Sequence, residues 1–310
     1  MMLMQGSLKH PANNDSLQQK PVQSQAMSSI SLNAKDIHES WMVRNKEFKF
    51  PQADNNRIQL LRRRWETAIK SILVEITTLP GADDSIVTWF DRIITMHSEE
   101  SRHYHTLCHL EEMFGFIDLA FGPGLKSDKG KNDDDSAWNA ILELSVFFHD
   151  SVYDATSSTN EEDSAKLFLS FVAELTSQTD WWVFKTVERF IIATKTHSVD
   201  GLEITEAKKV FLHLFLDADM SVLGKDPQAY DHYASLIRLE YLHVPHGLYC
   251  EKRAEILRSF IGSVKKAEGS SESTSKTVYL TSSMRDAVEE RAIANLQREI
   301  GSLERGIIPE

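Results

Sequence analysis

The stretch SAWNAILELSVFFHD, residues 136–150, has a helical pattern with a long apolar run and ends in His149 and Asp150. An apolar run of this kind is expected to be buried. Two side chains that can bind metal at the end of such a helix need an explanation. Taken alone, the pair is typical of an ordinary helix end, with Asp150 solvated and His149 hydrogen-bonded in the core. Its meaning depends on whether matching ligands occur elsewhere.

Helical patterns continue on both sides of this stretch, with apolar residues repeating three and four apart and little strand alternation. They predict an all-α fold, a helical bundle that forms a single domain over residues 55–305. The segments with this pattern are IQLLRRRWETAIKSILVEITTL, SIVTWFDRIITMH, HTLCHLEEMFGFIDLAF, EDSAKLFLSFVAEL, WWVFKTVERFIIATKTH, TEAKKVFLHLFLDADMSVL, DPQAYDHYASLIRLEYLH and SMRDAVEERAIANLQREIGSLE.

Loops and helix ends are indicated by local chemistry. Asp226 followed by Pro227 predicts a helix start, and Gly224 predicts the end of the preceding helix. Two stretches rich in Gly, Ser and charge, 122–135 and 265–276, predict surface loops. Residues 1–50 are polar and lack periodicity, so a disordered N-terminal tail is expected there.

Composition excludes several classes of protein. The net charge of the 310 residues is -12, which argues against the broad basic surface of a nucleic-acid binder. Two cysteines are too few for a disulfide framework or a zinc cysteine cluster. Neither a signal peptide nor an apolar run of membrane-spanning length is visible. We therefore expect no nucleic-acid or membrane partner and a cytoplasmic or nuclear protein; a homo-oligomer is compatible with the sequence.

Four places in the sequence could supply ligands to one metal site. His105 and His109 are four residues apart, which predicts that they share one helical face. His149–Asp150 is the second place and His197, after a helix, is the third. The fourth is LDADMSVLG, where Asp217 and Asp219 lie in an otherwise apolar helix, although carboxylates are rarely buried without a partner or a metal.

Each of these residues also has a structural interpretation. The two histidines could lie on the surface of an amphipathic helix, and His197 could cap a helix C-terminus. One of Asp217 and Asp219 is expected to be structural, because residues two apart point to different sides of a helix. The joint pattern is harder to dismiss, since mixed imidazole and carboxylate ligands suit divalent transition metals.

The order H…HD…D resembles the HD-domain superfamily of metal-dependent phosphohydrolases. The words YHTLCH, FFHDSVYD, NEEDSA, DADMSVLG, IRLEY and EERAIANLQREI are similar to its subgroup of predicted metal-dependent HD phosphohydrolases. The resemblance spans about residues 57–303. It implies a helical metal-dependent hydrolase and leaves the substrate open.

A more distant resemblance to cyclic-nucleotide phosphodiesterases implies roles for individual residues. By that resemblance His105 would be the general acid. Thr106 stands where those enzymes carry asparagine, and no counterpart of their purine-binding glutamine region is found, so cyclic nucleotides are not implied. The implied metal ligands are His109, His149, Asp150 and Asp219.

These assignments predict a phosphohydrolase that acts on a small phosphorylated metabolite, with a nucleotide favoured. A bound divalent ion (Mn, Mg, Co, Ni, Zn or Fe) would activate water and polarise a phosphoryl oxygen. One ion is slightly favoured over two, for which His197 would be the extra ligand. Glu161 or Glu162 is the candidate general base, although acidic residues also suit a helix start. The candidate substrate-binding cations are Arg102, Lys195 and Arg238, each of which could be an ordinary surface charge.

Two other functions remain open at this point. Some HD-fold proteins use a mixed-valent di-iron centre to oxidise substrates with oxygen, which requires additional histidine ligands. The chain could also be a non-catalytic HD module that binds a nucleotide or a protein without turnover.

Overall fold

The computed structural model describes residues 55–121, 133–199, 206–261, 263–264, 274–275 and 277–309. The predicted tail at 1–50 and most of the two predicted loops lie outside these residues. The described part is helical, so the all-α prediction is confirmed. None of its helices combines the length and apolar character needed to span a bilayer. The helices are α1 (Asn55–Leu73), α2 (Ala82–Met96), α3 (Leu107–Phe121), α4 (Asp133–Phe148), α5 (Asn160–Leu175), α6 (Trp182–Ala193), α7 (Glu206–Asp219), α8 (Pro227–Glu240), α9 (His246–Ile261) and α10 (Ser282–Leu303).

Helix α4 occupies the centre of the bundle, and its apolar run is buried, as predicted. It packs against α1, α3, α5, α6 and α7. Every described residue from Ile141 to Phe148 except Glu143 is buried. Glu143 is itself satisfied, because Arg64 of α1 donates to it at 2.7 Å and to Asp118 of α3 at 2.8 Å. One guanidinium thus joins three helices around the core.

An aromatic cluster fills the space between α1, α2, α4 and α5. The Trp65 ring lies edge-on to Phe147, with ring centroids 5.4 Å apart, and is tilted against Phe171 at 5.1 Å. All three rings are at most 1% exposed. This packing fixes the position of the C-terminal end of α4, and with it the position of His149 and Asp150.

Helix α7 continues into a short 3₁₀ helix, Met220–Gly224, which packs on α10. A Cβ atom at Gly224 would lie 2.7 Å from the Tyr279 hydroxyl and 2.8 Å from Val288 Cγ2, so only glycine fits this approach. The predicted start of α8 is also present, since Asp226 Oδ1 accepts hydrogen bonds from the backbone N–H groups of Gln228 and Ala229 at 3.1 Å.

One predicted helix end differs from the structure, and one helix was missed. Helix α1 ends at Leu73 rather than Leu79, because the following residues leave the helix and Thr78 forms a β-bridge with Thr176. β-branched Ile76, Thr77 and Thr78 favour that extended backbone. Helix α9 was not predicted. The described residues also contain two two-residue strands, Ser263–Val264 and Thr274–Ser275, which pair antiparallel.

Candidate metal centre

Three helices bring the predicted ligands together. His109 lies in the first turn of α3, Asp219 is the last residue of α7, and His149 and Asp150 directly follow α4. Both α3 and α7 pack against α4 and against each other. Residues 40 to 110 positions apart in the sequence therefore face one point inside the bundle.

The donor atoms of His109, His149 and Asp150 all lie within 4.8 Å of one another, and this group could hold a metal ion. The Nε2 atoms of the two histidines are 3.2 Å apart, and Asp150 Oδ2 lies 3.0 Å from His149 Nε2. Two ligands about 2.1 Å from one ion are separated by about 3.0 to 3.4 Å at octahedral to tetrahedral angles. The spacing fits a shared ion.

Asp219 approaches the same imidazoles from the other side. Its Oδ1 atom lies 3.1 Å from His109 Nε2 and 3.8 Å from His149 Nε2. Asp150 Oδ2, in contrast, lies closer to His149 Nε2, at 3.0 Å, than to His109 Nε2, at 3.9 Å. The two carboxylates therefore flank the pair of imidazoles.

The hydrogen bonding of His149 directs one of its nitrogens at this group. His149 Nδ1 donates to the Val146 carbonyl oxygen at 2.9 Å, so Nε2 is the nitrogen that faces the other donors. Both imidazoles are at most 2% exposed. Two buried nitrogens at 3.2 Å with carboxylates on either side match the preferences of a divalent transition metal.

The electrostatics of the carboxylates point the same way. Burial would raise the pKa of Asp150, but the charge and hydrogen bond of His149 hold it below its ordinary value. Burial likewise opposes ionisation of Asp219, and hydrogen bonds with His109 and His197 keep its pKa well below the usual range. Both groups are therefore carboxylates at neutral pH, as ligation of a cation requires.

His197 contacts this group through Asp219 rather than through the imidazoles. Its Nε2 atom lies 2.9 Å from Asp219 Oδ2, the oxygen that does not face His109. His197 follows α6 in a turn, with φ of 46° and its N–H bonded to the Ala193 carbonyl. This is the position of a residue that could orient the Asp219 carboxylate.

The prediction that His105 and His109 share a helical face is wrong. Helix α3 begins at Leu107, so His105 lies in the turn before it. The reason is Glu240 at the end of α8, whose Oε1 accepts the backbone N–H groups of three consecutive residues, His103, Tyr104 and His105, at 2.8, 2.8 and 3.0 Å. The His105 ring nevertheless approaches the centre, with Nε2 4.0 Å from Asp150 Oδ2.

Glu240 also orients the His105 ring, a role that was not predicted for this residue. Its Oε2 accepts from His105 Nδ1 at 2.7 Å and from the Tyr153 hydroxyl at 2.8 Å. Burial lowers the pKa of His105, but the Glu240 carboxylate outweighs burial and the net shift is upward. The Tyr153 ring stacks on the imidazole at 4.3 Å. Glu240 lies within the quoted word IRLEY, and a carboxylate at the end of an amphipathic helix was the available signal.

The three predicted substrate-binding cations are engaged with the protein. Arg102 is buried and donates to the backbone carbonyls of Asp150 at 2.6 Å and Ser151 at 2.8 Å, so it supports the turn that carries the ligand. Arg238 donates to two carbonyls after α8. Lys195 donates to Glu162 at 2.5 Å. These contacts favour structural roles for Arg102 and Arg238.

The remaining predicted residues divide between α5 and α7. Glu161 and Glu162 lie in the first turn of α5, and Glu162 forms the ion pair with Lys195 at a partly exposed position. Asp217 does not face the metal group. Its carboxylate accepts hydrogen bonds from Leu280 N, Thr281 N and Thr281 Oγ1 at 2.6 to 2.8 Å, so it anchors the start of α10.

Comparison with known proteins adds no family. No protein-family model, curated protein or solved structure matches the chain.

Proposed function

We propose that the protein is a metal-dependent phosphohydrolase of the HD type that cleaves a phosphoester of a small phosphorylated metabolite, with nucleotides the preferred class. The observation that carries the proposal is the convergence of His109, His149, Asp150 and Asp219 beside His105, an imidazole that Glu240 holds 4.0 Å from Asp150. Phosphoester hydrolysis needs an activated water and a proton for the leaving oxygen. The four candidate ligands could hold the ion that activates the water, and His105 could supply the proton.

The four donors would hold one divalent ion per chain, with His197 fixing the orientation of Asp219. A bound divalent ion lowers the pKa of its water and polarises a phosphoryl oxygen. Because Arg102 and Arg238 donate to main-chain carbonyls, neutralisation of the substrate anion would depend on the ion and on protonated His105. Lys195 forms an ion pair with Glu162 and would contact the substrate only at the edge of the site.

His105 is suited to protonate the leaving oxygen. Glu240 accepts a hydrogen bond from the Nδ1–H group of His105, so the Nε2 atom faces Asp150. Nε2 is therefore the atom that would carry the transferable proton. Glu240 is a positioning residue, because it acts through the imidazole. Glu161 stays the candidate base, since Glu162 is already paired.

The test is hydrolysis of a panel of phosphate esters, including nucleoside mono-, di- and triphosphates and sugar phosphates, by protein loaded with Mn, Mg, Co or Ni. We expect turnover with at least one ion and substrate. His105→Asn should keep the metal while lowering kcat about 10²- to 10⁴-fold.

Three results would contradict the proposal. Metal-loaded protein that hydrolyses no ester of the panel would contradict the proposed hydrolase activity. Tight nucleotide binding without product would support a binding module instead. Two irons per chain with oxygen consumption would support the oxygenase, for which His197 would be the additional ligand.

A further inference from the structure

Three buried polar atoms near His109 have no hydrogen-bond partner within the described residues. They are the Tyr104 hydroxyl, His109 Nδ1 and Glu112 Oε2. A buried polar group without a partner costs about 1 to 3 kcal/mol, so three such atoms in one neighbourhood indicate a common arrangement that satisfies them.

The three residues are neighbours. His109 and Glu112 are three apart on α3 and so lie on the same face of the helix. The Tyr104 and His109 ring centroids are 5.0 Å apart. Burial raises the pKa of the Tyr104 phenol well above its ordinary value, and Glu112 is the first of the charges that add to this shift.

The chemistry of ligation assigns these atoms complementary roles. If His109 Nε2 binds an ion, the neutral ring carries its proton on Nδ1, and a buried N–H requires an acceptor. Metal-binding histidines generally donate that hydrogen to a carboxylate, a backbone carbonyl or a water. His149 uses the Val146 carbonyl, but no described residue offers His109 Nδ1 a carbonyl in hydrogen-bond contact.

Glu112 is held in place for this role by Lys225. The Lys225 ammonium donates to Glu112 Oε1, and both side chains are largely buried, at 6% and 12% exposure. The ion pair uses Oε1 and leaves Oε2 as the acceptor without a partner among the described residues. The pair also joins α3 to the segment just after the 3₁₀ helix that follows Asp219.

We propose that Glu112 is a positioning residue for His109, acting through one ordered water. The water accepts the Nδ1–H of His109 and the hydroxyl hydrogen of Tyr104, and donates to Glu112 Oε2. Three polar partners are typical of a buried structural water. The inference rests on the metal centre of the proposed function and is independent of the reaction catalysed there.

The test is titration of chelated, metal-free protein with Co²⁺, followed by its visible absorption, in wild type, Glu112→Gln and Glu112→Asp. The matched control is Glu111→Gln, the same substitution one position earlier on α3, where the carboxylate pairs with Arg57 at 2.8 Å. Loss of a second-shell partner typically weakens metal affinity about 10- to 100-fold. We expect that loss in Glu112→Gln, a smaller one in Glu112→Asp, and wild-type affinity in Glu111→Gln.

A spectroscopic measurement separates positioning from general destabilisation. In Co²⁺-loaded protein labelled with ¹⁵N-histidine, the His109 Nδ1–H should give a paramagnetically shifted proton signal that exchanges slowly with water. Glu112→Gln should shift it and speed its exchange, and Glu111→Gln should leave it unchanged.

The outcomes are distinguishable. If the wild-type protein binds no Co²⁺, the proposed metal centre itself is contradicted. Wild type that binds, together with a Glu112→Gln variant of equal affinity and an unchanged His109 signal, overturns the role of Glu112 alone. If Glu112→Gln does not fold, Glu112→Asp decides in the same way, because it keeps a carboxylate near Lys225 and shortens the reach towards His109.

Discussion

Glu240 is a carboxylate that the fold removes from water and surrounds with five donors: the backbone N–H groups of His103, Tyr104 and His105, the His105 ring and the Tyr153 hydroxyl. A buried carboxylate is costly unless it is satisfied in this way. Burial raises its pKa, but His105 and the N–H groups outweigh burial and lower the pKa to about 2. The same contacts shape the turn before α3 and orient the candidate acid.

This shift predicts how stability depends on pH. Because the folded-state pKa of about 2 lies below the ordinary 4.5, ionised Glu240 stabilises the folded protein above pH 4.5, and the contribution is lost as pH falls from 4.5 towards 2. Glu240→Gln should therefore lower the free energy of unfolding at pH 7 by on the order of 3 kcal/mol. Urea unfolding of both proteins at several pH values measures it. A difference that is as large at pH 2.5 as at pH 7 would contradict the assignment.

At the residue scale, the clustering of the four candidate ligands could be predicted, and the contacts that support them could not. His109, His149, Asp150 and Asp219 carry a sequence signal because polar residues interrupt apolar helices. Glu240 carries only a weak sequence signal, since an acidic residue at the end of an amphipathic helix is usually solvated. Only the packing of α8 against the turn at His105 reveals its contacts, and that packing joins residues 135 positions apart.

Among the elements, α7 and α10 are joined by a carboxylate that the sequence left unassigned. Asp217 accepts three hydrogen bonds from Leu280 and Thr281, and the Thr281 side chain in turn caps α10 by accepting from Met284 N. Asp219, two residues later, points to the other side of α7, as helical geometry requires. One turn of α7 thus carries a structural carboxylate, Asp217, and a candidate metal ligand, Asp219.

Removing the first carboxylate should affect stability rather than metal. Asp217→Ala leaves three donors without an acceptor and should lower the free energy of unfolding by about 2 to 4 kcal/mol. Asp226→Ala, which removes an ordinary helix cap, should cost about 1 kcal/mol. Thermal unfolding and elemental analysis check both variants. Loss of the metal in folded Asp217→Ala would contradict the separation of roles.

Helix positions followed from apolar periodicity, whereas their ends depended on tertiary contacts. Helix α1 stops where Thr78 pairs with Thr176, and α3 starts late because Glu240 captures the preceding N–H groups. Helix α9 was missed because its sequence, HGLYCEKRAEILRSFI, has a weak amphipathic pattern and a glycine in its first turn. Its buried Ala254 and Leu257, three apart, were the signal present.

For the whole molecule, the aromatic cluster around α4 sets the position of the ligand group. Trp65→Ala removes the ring that contacts Phe147, Phe148 and Phe171 and should cost about 3 to 5 kcal/mol. Leu60→Ala on the same helix, at a side chain 60% exposed, should change stability by less than about 0.5 kcal/mol. Urea unfolding measures both. Equal effects of the two substitutions would show that α1 is not packed on α4 in this way.

The central claim is that one cation is bound where α3, α4 and α7 meet, and elemental analysis of protein purified without chelator tests it most directly. We predict one divalent transition metal per chain in wild type and in Asp154→Ala, whose exposed carboxylate only accepts from Thr156. Asp150→Ala should have almost none, with an unchanged far-UV circular dichroism spectrum. Equal metal content in Asp150→Ala and wild type, or a wild-type protein that binds no ion at saturating concentration, would contradict the account.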